Sequence, residues 1–231
     1  MSKRQTRTQS DLNERDLKKI TLRESQKKYS NTILSNQITF CHGPAGTSKT
    51  FTACYTAIKL LLEKQVNRII LTKPIQESGE KLGHLPGDVD EKIAPYMQSY
   101  ISNLNKIIGG NGASWLTTKG VIEYKPLAYM RGATFENSLM ILDEAQNADF
   151  RQLMLFLTRM GKGSKVVICG DVSQYDIAKT KVALPDFMQL MGGIKGLGTH
   201  VFEDKDIVRA KILIDVVKRY EKWKSENNLP Y

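Results

Sequence analysis

A short glycine-rich segment of the sequence carries the residue types that bind phosphate groups. It matches the pattern GxxxxGK[ST] at every position but one, and its residues are Gly43, Pro44, Ala45, Gly46, Thr47, Ser48, Lys49 and Thr50. Backbone N–H groups of such a loop can surround a triphosphate, the Lys49 ammonium can balance the charge of its β and γ phosphates, and the Thr50 hydroxyl can ligate Mg²⁺. The segment therefore predicts a nucleoside triphosphate site.

Ser48 is the departure from the pattern, which has glycine at this position. A serine is small enough to keep the loop near the phosphates, but its Cβ crowds the close approach of backbone that glycine permits. We therefore expect Ser48 to weaken nucleotide binding or to slow turnover, and we expect glycine at this position to reverse that effect.

Two adjacent acidic residues, Asp143 and Glu144, follow the apolar run from Ser138 to Leu142. If that run is a strand of an open parallel sheet, the pair lies at its carboxyl end, where the ligands of such sheets bind. Asp143 would then hold Mg²⁺, directly or through water, and Glu144 would orient or deprotonate an attacking water. Water as the acceptor favours hydrolysis over small-molecule kinase chemistry, and the sequence has no NKxD pattern for guanine.

A third polar segment, from Gly170 to Gln174, follows another apolar run in the same way. The Gln174 amide is placed there to reach a γ phosphate or its attacking water and to relay that contact outward. Such a relay is what an NTPase coupled to a partner needs. We therefore add Gln174 to Lys49 and Glu144 as predicted catalytic residues.

The apolar runs that carry these segments predict the fold class. Continuous apolar strands that alternate with helices indicate a mostly parallel sheet covered by helices on both faces, which is an α/β fold. Glycines, prolines and charges over residues 78–95 indicate a loop with short helical pieces. The predicted strands are residues 38–42, 68–72, 138–142, 165–169 and 200–202, and the predicted helices are residues 22–34, 49–62, 96–108, 150–160 and 207–224.

Length and composition favour one compact domain. The chain has 231 residues, of which 41% are hydrophobic and 25% charged, as in globular proteins. We expect a basic, flexible arm over residues 1–21 and a single domain over residues 22–231. No apolar run has the length of a membrane span or a secretory signal, so we expect a cytoplasmic protein without a membrane partner. The three cysteines lack metal-ligand spacing and are expected to be buried and reduced.

The charge of the chain is strongly positive. There are 34 basic and 24 acidic residues, which gives a net charge of +10. An excess of this size lets a protein concentrate on a polyanion such as nucleic acid. Charge alone does not separate that function from a solvated, lysine-rich surface, so both interpretations stay open.

Taken in order along the chain, these motifs resemble those of the PhoH-like family of ATPases, whose domain is similar to the first motor domain of superfamily 1 helicases. The resemblance extends from about residue 26 to residue 209 and includes the segments 79–88, 91–96, 126–132 and 206–209. It implies a RecA-like P-loop fold that binds and hydrolyses ATP with Mg²⁺. It also implies an association with RNA, so RNA or single-stranded DNA is the expected partner.

The resemblance further implies roles for five residues that the motif chemistry does not single out. Gln26, upstream of the phosphate-binding loop, is similar to the glutamine that reads adenine in related helicases. Lys73, Pro74 and Arg131 fall where related motors touch nucleic acid. Arg209 resembles the phosphate-sensing arginine of superfamily 1 motors.

Superfamily 1 motors that translocate use two motor domains, and we expect no second one after Arg209. A homo-oligomer, with a hexameric ring as one form, would supply the missing surface from a neighbouring subunit. Two functions stay open. The first is an oligomeric ATPase that acts on RNA or single-stranded DNA, with helicase-like activity. The second is a nucleotide-binding switch with slow hydrolysis that controls assembly or partner binding.

Overall fold

The computed structural model describes residues 17, 19–74, 89–172 and 183–208, together with isolated positions between 212 and 226. Helices and strands alternate along most of this part of the chain. The helices are α1 (Glu24–Ser35), α2 (Lys49–Leu62), α3 (Val89–Ile108), α4 (Gly110–Thr118), α5 (Phe150–Leu157) and α6 (Leu184–Leu190). The strands are β1 (Ile38–His42), β2 (Arg68–Thr72), β3 (Ile122–Tyr124), β4 (Ser138–Leu142), β5 (Lys165–Gly170) and β6 (Leu197–Val201).

The strands form one six-stranded sheet in the order β3-β2-β4-β5-β1-β6. Every pairing between these strands is parallel. Parallel neighbours require crossover connections, and the helices that make them cover both faces of the sheet. The predicted α/β fold, a RecA-like P-loop sheet flanked by helices, is therefore confirmed.

Adjacent residues of the central strands point into two different cores. In β1, Cys41 packs with one buried cluster, on the side of α1 to α4, whereas its neighbour Phe40 packs with the other, on the side of α5 and α6. In β4, Ile141 packs with the first cluster and its neighbour Met140 with the second. Because side chains alternate across a strand, a strand covered on both faces must be apolar throughout. This explains why these strands are continuous apolar runs in the sequence.

Most predicted element boundaries agree with the structure. The bounds of β1, β2, β4 and α2 are as predicted, β5 is one residue longer, and α1 begins two residues later than expected. The helix predicted over residues 150–160 ends at Leu157, and the strand predicted over residues 200–202 runs from Leu197 to Val201. Residues 207–224, the predicted closing helix, lie mostly outside the described residues, although the described positions from 212 onward are helical.

The prediction for the segment before Tyr96 was wrong in part. Helix α3 begins at Val89 rather than Tyr96 and continues through Pro95. A proline removes one backbone donor, but the remaining bonds and a packed apolar face can hold the helix. Buried Met97, Tyr100 and Leu104 provide that face. The predicted loop over residues 78–95 otherwise lies largely outside the described residues, as do residues 1–16 of the predicted arm.

Three smaller findings concern the segment before α1, the cysteines and the character of the helices. Leu17 is buried and Ile20 packs against the same core, so the core reaches into the segment predicted as an arm. The three cysteines are free and buried, as predicted. In the described part of the chain, no helix combines the length and the apolar character needed to cross a bilayer.

Candidate nucleotide-binding site

The carboxyl ends of β1, β4 and β5 meet at one edge of the sheet, because these strands are parallel neighbours. The loops that follow them border a cleft with a volume of about 380 Å³, within the range of small-molecule sites. Three sequence motifs separated by many residues therefore face one space. The cleft is lined by Ala45, Gly46, Ser48, Lys49, Thr50, Phe51, Asn103, Asp143, Glu144, Gln146, Asp171 and Val208.

The loop after β1 has the backbone shape that its glycines allow. Gly43 has a φ of 147°, and a Cβ at this position would overlap the carbonyl oxygen of Phe202. Gly46 has a φ of 85°, and the Thr47 hydroxyl donates a hydrogen bond of 2.9 Å to the Pro44 carbonyl. Helix α2 then begins at Lys49, so its first backbone N–H groups point into the cleft region as a phosphate site requires.

Ser48 lies in the left-handed region, with a φ of 67° and a ψ of 31°. A residue with a Cβ pays about 1 to 2 kcal/mol for this conformation, which glycine adopts freely. The glycine of the sequence pattern is thus explained here by backbone conformation. We still expect Ser48 to weaken nucleotide binding or to slow turnover, but part of that cost comes from backbone strain in the loop itself.

The Lys49 ammonium is held inside the loop. It donates hydrogen bonds of 2.6 Å to the Gly43 carbonyl and 2.9 Å to the Pro44 carbonyl. A lysine ammonium has three donors, so these two bonds fix its position while leaving donor capacity. The loop therefore places a positive charge at its own centre, where a phosphate group would benefit from it.

Asp143 is the buried acid of the site and has two close partners. The Thr50 hydroxyl donates a hydrogen bond of 2.8 Å to Asp143 Oδ2, and Lys73 Nζ lies 3.4 Å from the same oxygen. The Asp143 side chain is only 4% exposed, and these two partners offset the cost of burying a carboxylate. The Lys73 ammonium also lies 5.5 Å from the centre of the Tyr100 ring. Lys73, predicted to contact nucleic acid, thus contacts the acidic residue of the cleft.

The pair Thr50 and Asp143 has the chemistry that Mg²⁺ requires. Magnesium prefers oxygen ligands and is usually held by one or two carboxylates together with waters and substrate phosphates. A hydroxyl and a carboxylate oxygen 2.8 Å apart fit that role. Among the described residues, no group of three or more His, Cys, Asp or Glu side chains could hold a metal without a substrate.

Glu144 follows Asp143 at the cleft and has an unusual backbone, with a φ of 55°. Its side chain reaches solvent at the mouth of the cleft. Partial burial of the carboxyl group raises its pKa, the charge of Asp143 raises it further, and the hydrogen bond from Gln146 and the charges of Lys73 and Lys49 oppose the rise. A carboxylate with a raised pKa is a stronger proton acceptor, as a general base must be.

Several cleft residues were missed by the sequence interpretation. Gln146 lies two residues after the acidic pair and Asp171 lies inside the segment from Gly170 to Gln174, but neither was given a role, and their buried side chains follow β4 and β5. Asn103 comes from α3, the helix whose start was predicted wrongly. Val208 donates a backbone hydrogen bond of 2.8 Å to the Gly46 carbonyl, so the chain directly before Arg209 touches the phosphate-binding loop.

The remaining predicted residues lie in different places. The buried Gln26 side chain caps α1, accepting a hydrogen bond of 2.8 Å from the Arg23 backbone, and it is not among the residues that line the cleft. Pro74 is buried and Arg131 is exposed on another groove. Gln174 and Arg209 lie outside the described residues. Their predicted roles, and that of Gln26 in adenine recognition, stay predictions.

The fold and this site define a P-loop nucleotide-binding protein. The sequence also matches the family model described as "PhoH-like protein" over residues 19–221. The chain belongs to the PhoH-like family.

Sequence relatives support this assignment. The chain is 40% identical to the "PhoH-like protein" of Bacillus subtilis (strain 168) over 198 residues, which are 85% of this chain and 62% of that protein. It is also 40% identical to the "PhoH-like protein" of Synechocystis over 206 residues, 89% of this chain and 62% of that protein. The chain thus spans less than two thirds of these relatives. Among solved structures it is similar to the Pif1 helicase from Candida albicans, with a TM-score of 0.44 and 20% identity over 86% of this chain and 44% of that one.

Replacing Ser48 by glycine tests the backbone strain in the loop. Lys64 is the matched control, because it also has a left-handed φ, 56°, but lies exposed after α2 and away from the cleft. We expect Ser48→Gly and Lys64→Gly each to raise the free energy of unfolding by up to about 1 kcal/mol. Only Ser48→Gly should tighten nucleotide binding or speed hydrolysis, by roughly ten-fold. Equal nucleotide affinity and turnover in the parent and Ser48→Gly would contradict a functional cost of Ser48.

Proposed function

We propose that this protein binds and hydrolyses ATP, with Mg²⁺ held at the nucleotide site. The observation that carries the proposal is the convergence of Lys49, Thr50 and the pair Asp143 and Glu144 on one cleft. These are the parts that phosphoryl transfer to water requires, namely a phosphate cradle, metal ligands and a group to activate water. Family membership supports the same activity.

The chemistry follows from the position of each residue. The loop N–H groups and the Lys49 ammonium would bind the phosphates, and Thr50 and Asp143 would hold Mg²⁺. Bound Mg²⁺ supplies positive charge that stabilises the developing charge on the phosphate oxygens. Glu144 would accept a proton from the attacking water, a role that its raised pKa favours. Lys73 would balance the charge of the Asp143 carboxylate, from which its ammonium lies 3.4 Å away.

The competing function is a nucleotide-binding switch that hydrolyses ATP slowly. The strained Ser48 backbone supports slow turnover, whereas a glutamate at the cleft beside the metal ligand supports hydrolysis. The two functions share the binding site and differ in the use of Glu144. Turnover therefore separates them.

Substitutions of Lys49 and of Glu144 should have different effects on nucleotide binding and hydrolysis. Lys49→Ala should abolish nucleotide binding, because the loop loses its charge. Glu144→Gln should keep binding but slow hydrolysis by about 10² to 10⁴, the usual contribution of a positioned general base. Phosphate release and binding of a fluorescent ATP analogue measure the two effects.

The control for Glu144→Gln is Glu63→Gln, which makes the same change at an exposed carboxylate paired with Lys59. Glu63→Gln should hydrolyse ATP at the parental rate. A Glu144→Gln variant that is equally active would contradict the role of Glu144. A parent that binds ATP but does not turn over, with or without RNA, would favour the switch.

We also propose that RNA or single-stranded DNA binds at a second groove. This groove has a volume of about 580 Å³ and is lined by Arg131, Gly132, Asp149, Arg151, Gln152, Leu155 and Arg159. Three of its residues are arginines, which bind phosphates through planar, permanently charged groups. The net charge of +10 supports the same kind of partner.

Contacts within the groove leave its positive charge in place. The Arg159 guanidinium donates to the Ala133 carbonyl at 3.1 Å and thereby anchors the loop after Met130. The Asp149 carboxylate accepts from the Gln152 backbone at 2.8 Å, because it caps α5. Arg131 and Arg151 are exposed at the groove surface. They are therefore the residues through which a nucleic acid backbone would bind.

Exposed apolar side chains support the predicted homo-oligomer. Ile212, Val216, Tyr220 and Trp223 are all exposed and recur at helical spacing. A neighbouring subunit would cover such a stripe. Ring size, and the action of Arg209 on its own or a neighbouring site, stay predictions.

The groove is tested by the salt dependence of binding. The double variant Arg131→Gln and Arg151→Gln keeps Arg159, which anchors a loop. We expect weaker binding of single-stranded RNA and a slope of log K against log salt that is smaller by about 1.4, since each lost phosphate contact lowers it by about 0.7. Arg68→Gln is the control, because Arg68 pairs with Glu123 and is not among the residues that line the groove. An unchanged slope in the double variant would exclude the groove as the site that binds nucleic acid.

A further inference from the structure

We infer that Gln146 is a positioning residue for hydrolysis, which joins the Glu144 carboxylate to the loop after β5. The inference rests on the proposed function of Glu144 and adds a residue to it. Gln146 donates from Nε2 to Glu144 Oε2 at 2.7 Å and accepts at Oε1 from the Asp171 backbone N–H at 2.9 Å. One side-chain amide thus contacts two motifs that follow neighbouring strands.

The chemistry of the two partners fixes the orientation of the Gln146 amide. A backbone N–H can only donate, so it must face the amide oxygen. An ionised carboxylate can only accept, so it must face the NH₂ group. A flipped amide would lose both bonds, and the Asp171 N–H therefore determines that a donor points at Glu144.

Burial of the Gln146 side chain stabilises its two hydrogen bonds. Gln146 is only 5% exposed, and a buried amide that loses a partner is left with an unsatisfied polar group that water does not reach. A Cβ on Gly170 would overlap the Leu184 side chain and lie 3.1 Å from Gln146 Oε1, so glycine at the end of β5 leaves room for both side chains. Glycine at the end of β5 thus lets the short helical turn of residues 145–147 approach the strand.

Glu144 needs such a partner because its backbone does not fix its carboxylate. It has a left-handed φ of 55° directly before the turn of residues 145–147, and its side chain reaches solvent. A free glutamate in this position would sample several rotamers. The bond from Gln146 selects one of them and ties it to the loop at Asp171, so displacement of that loop would displace the acid.

Two variants of Gln146 test the inference, because we expect kcat to fall by different amounts in them. Gln146→Met keeps the length of the side chain but has no amide. Gln146→Glu keeps an acceptor for the Asp171 N–H but sets a carboxylate against Glu144. If Gln146 positions Glu144, we expect kcat to fall about 10- to 100-fold in Gln146→Met, the usual cost of losing an outer partner, and further in Gln146→Glu. The affinity for a non-hydrolysable ATP analogue should stay within about two-fold of the parent in Gln146→Met, which adds no charge to the cleft.

Two controls separate positioning from packing. Gln65→Met also removes an amide that donates to a carboxylate, at 2.8 Å to Glu63, but Gln65 is exposed outside the nucleotide cleft and should leave kcat unchanged. In the Glu144→Gln background, Gln146→Met should cause no further loss of kcat. The positioning role would be overturned if the kcat losses of Gln146→Met and Glu144→Gln multiply in the double variant. A loss of ATP-analogue affinity in Gln146→Met equal to its loss of kcat would also overturn it.

Nuclear magnetic resonance tests the two contacts without any turnover. Hydrogen exchange at the Asp171 backbone amide should accelerate in Gln146→Met and not in Gln65→Met, and the Gln146 side-chain amide signals should shift in Glu144→Gln. Absence of both changes would overturn the inference even if the parent hydrolyses ATP. If both changes are seen but the parent does not hydrolyse ATP, the contacts of Gln146 are confirmed and the proposed ATPase activity is excluded. The role of Gln146 in hydrolysis is then overturned as well.

Discussion

The site depends on the parallel pairing of β1, β5 and β4. The register aligns His42 with Gly170 and Leu142 with Ile168, so these three strands end at nearly the same level. Each strand continues into one loop of the cleft. The phosphate-binding loop, the acidic pair and Asp171 are therefore neighbours, although the sequence separates them widely.

Within that frame the charges of the cleft stabilise one another. Asp143 is bound by the Thr50 hydroxyl and faces the Lys73 ammonium, while the loop carbonyls of Gly43 and Pro44 hold Lys49. Lys49 and Lys73 each have fixed partners, and Asp143 and Glu144 each accept a hydrogen bond. Charges held in this way need little rearrangement to meet a charged ligand, which is the physical basis of electrostatic preorganisation.

The sequence predicted the parts of this molecule that depend on local pattern. Apolar runs predicted β1, β2 and β4 to the residue, since a strand covered on both faces must be continuously apolar. The path of α3 through Pro95 was not predictable, because buried contacts outweigh the local preference of proline. The contact of Lys73 with Asp143 and the bridging amide of Gln146 depend on which strands are neighbours. Motif spacing carries no such information.

The central claim is that Thr50 and Asp143 bind Mg²⁺ together with a nucleoside triphosphate. Calorimetric titration of a non-hydrolysable ATP analogue, with and without Mg²⁺, tests it most directly in the parent, Asp143→Asn and the exposed control Asp204→Asn. The account predicts that Mg²⁺ tightens binding by roughly ten-fold or more in the parent and in Asp204→Asn, and has no such effect in Asp143→Asn. Equal dependence on Mg²⁺ in all three proteins, or no binding by the parent, would contradict it.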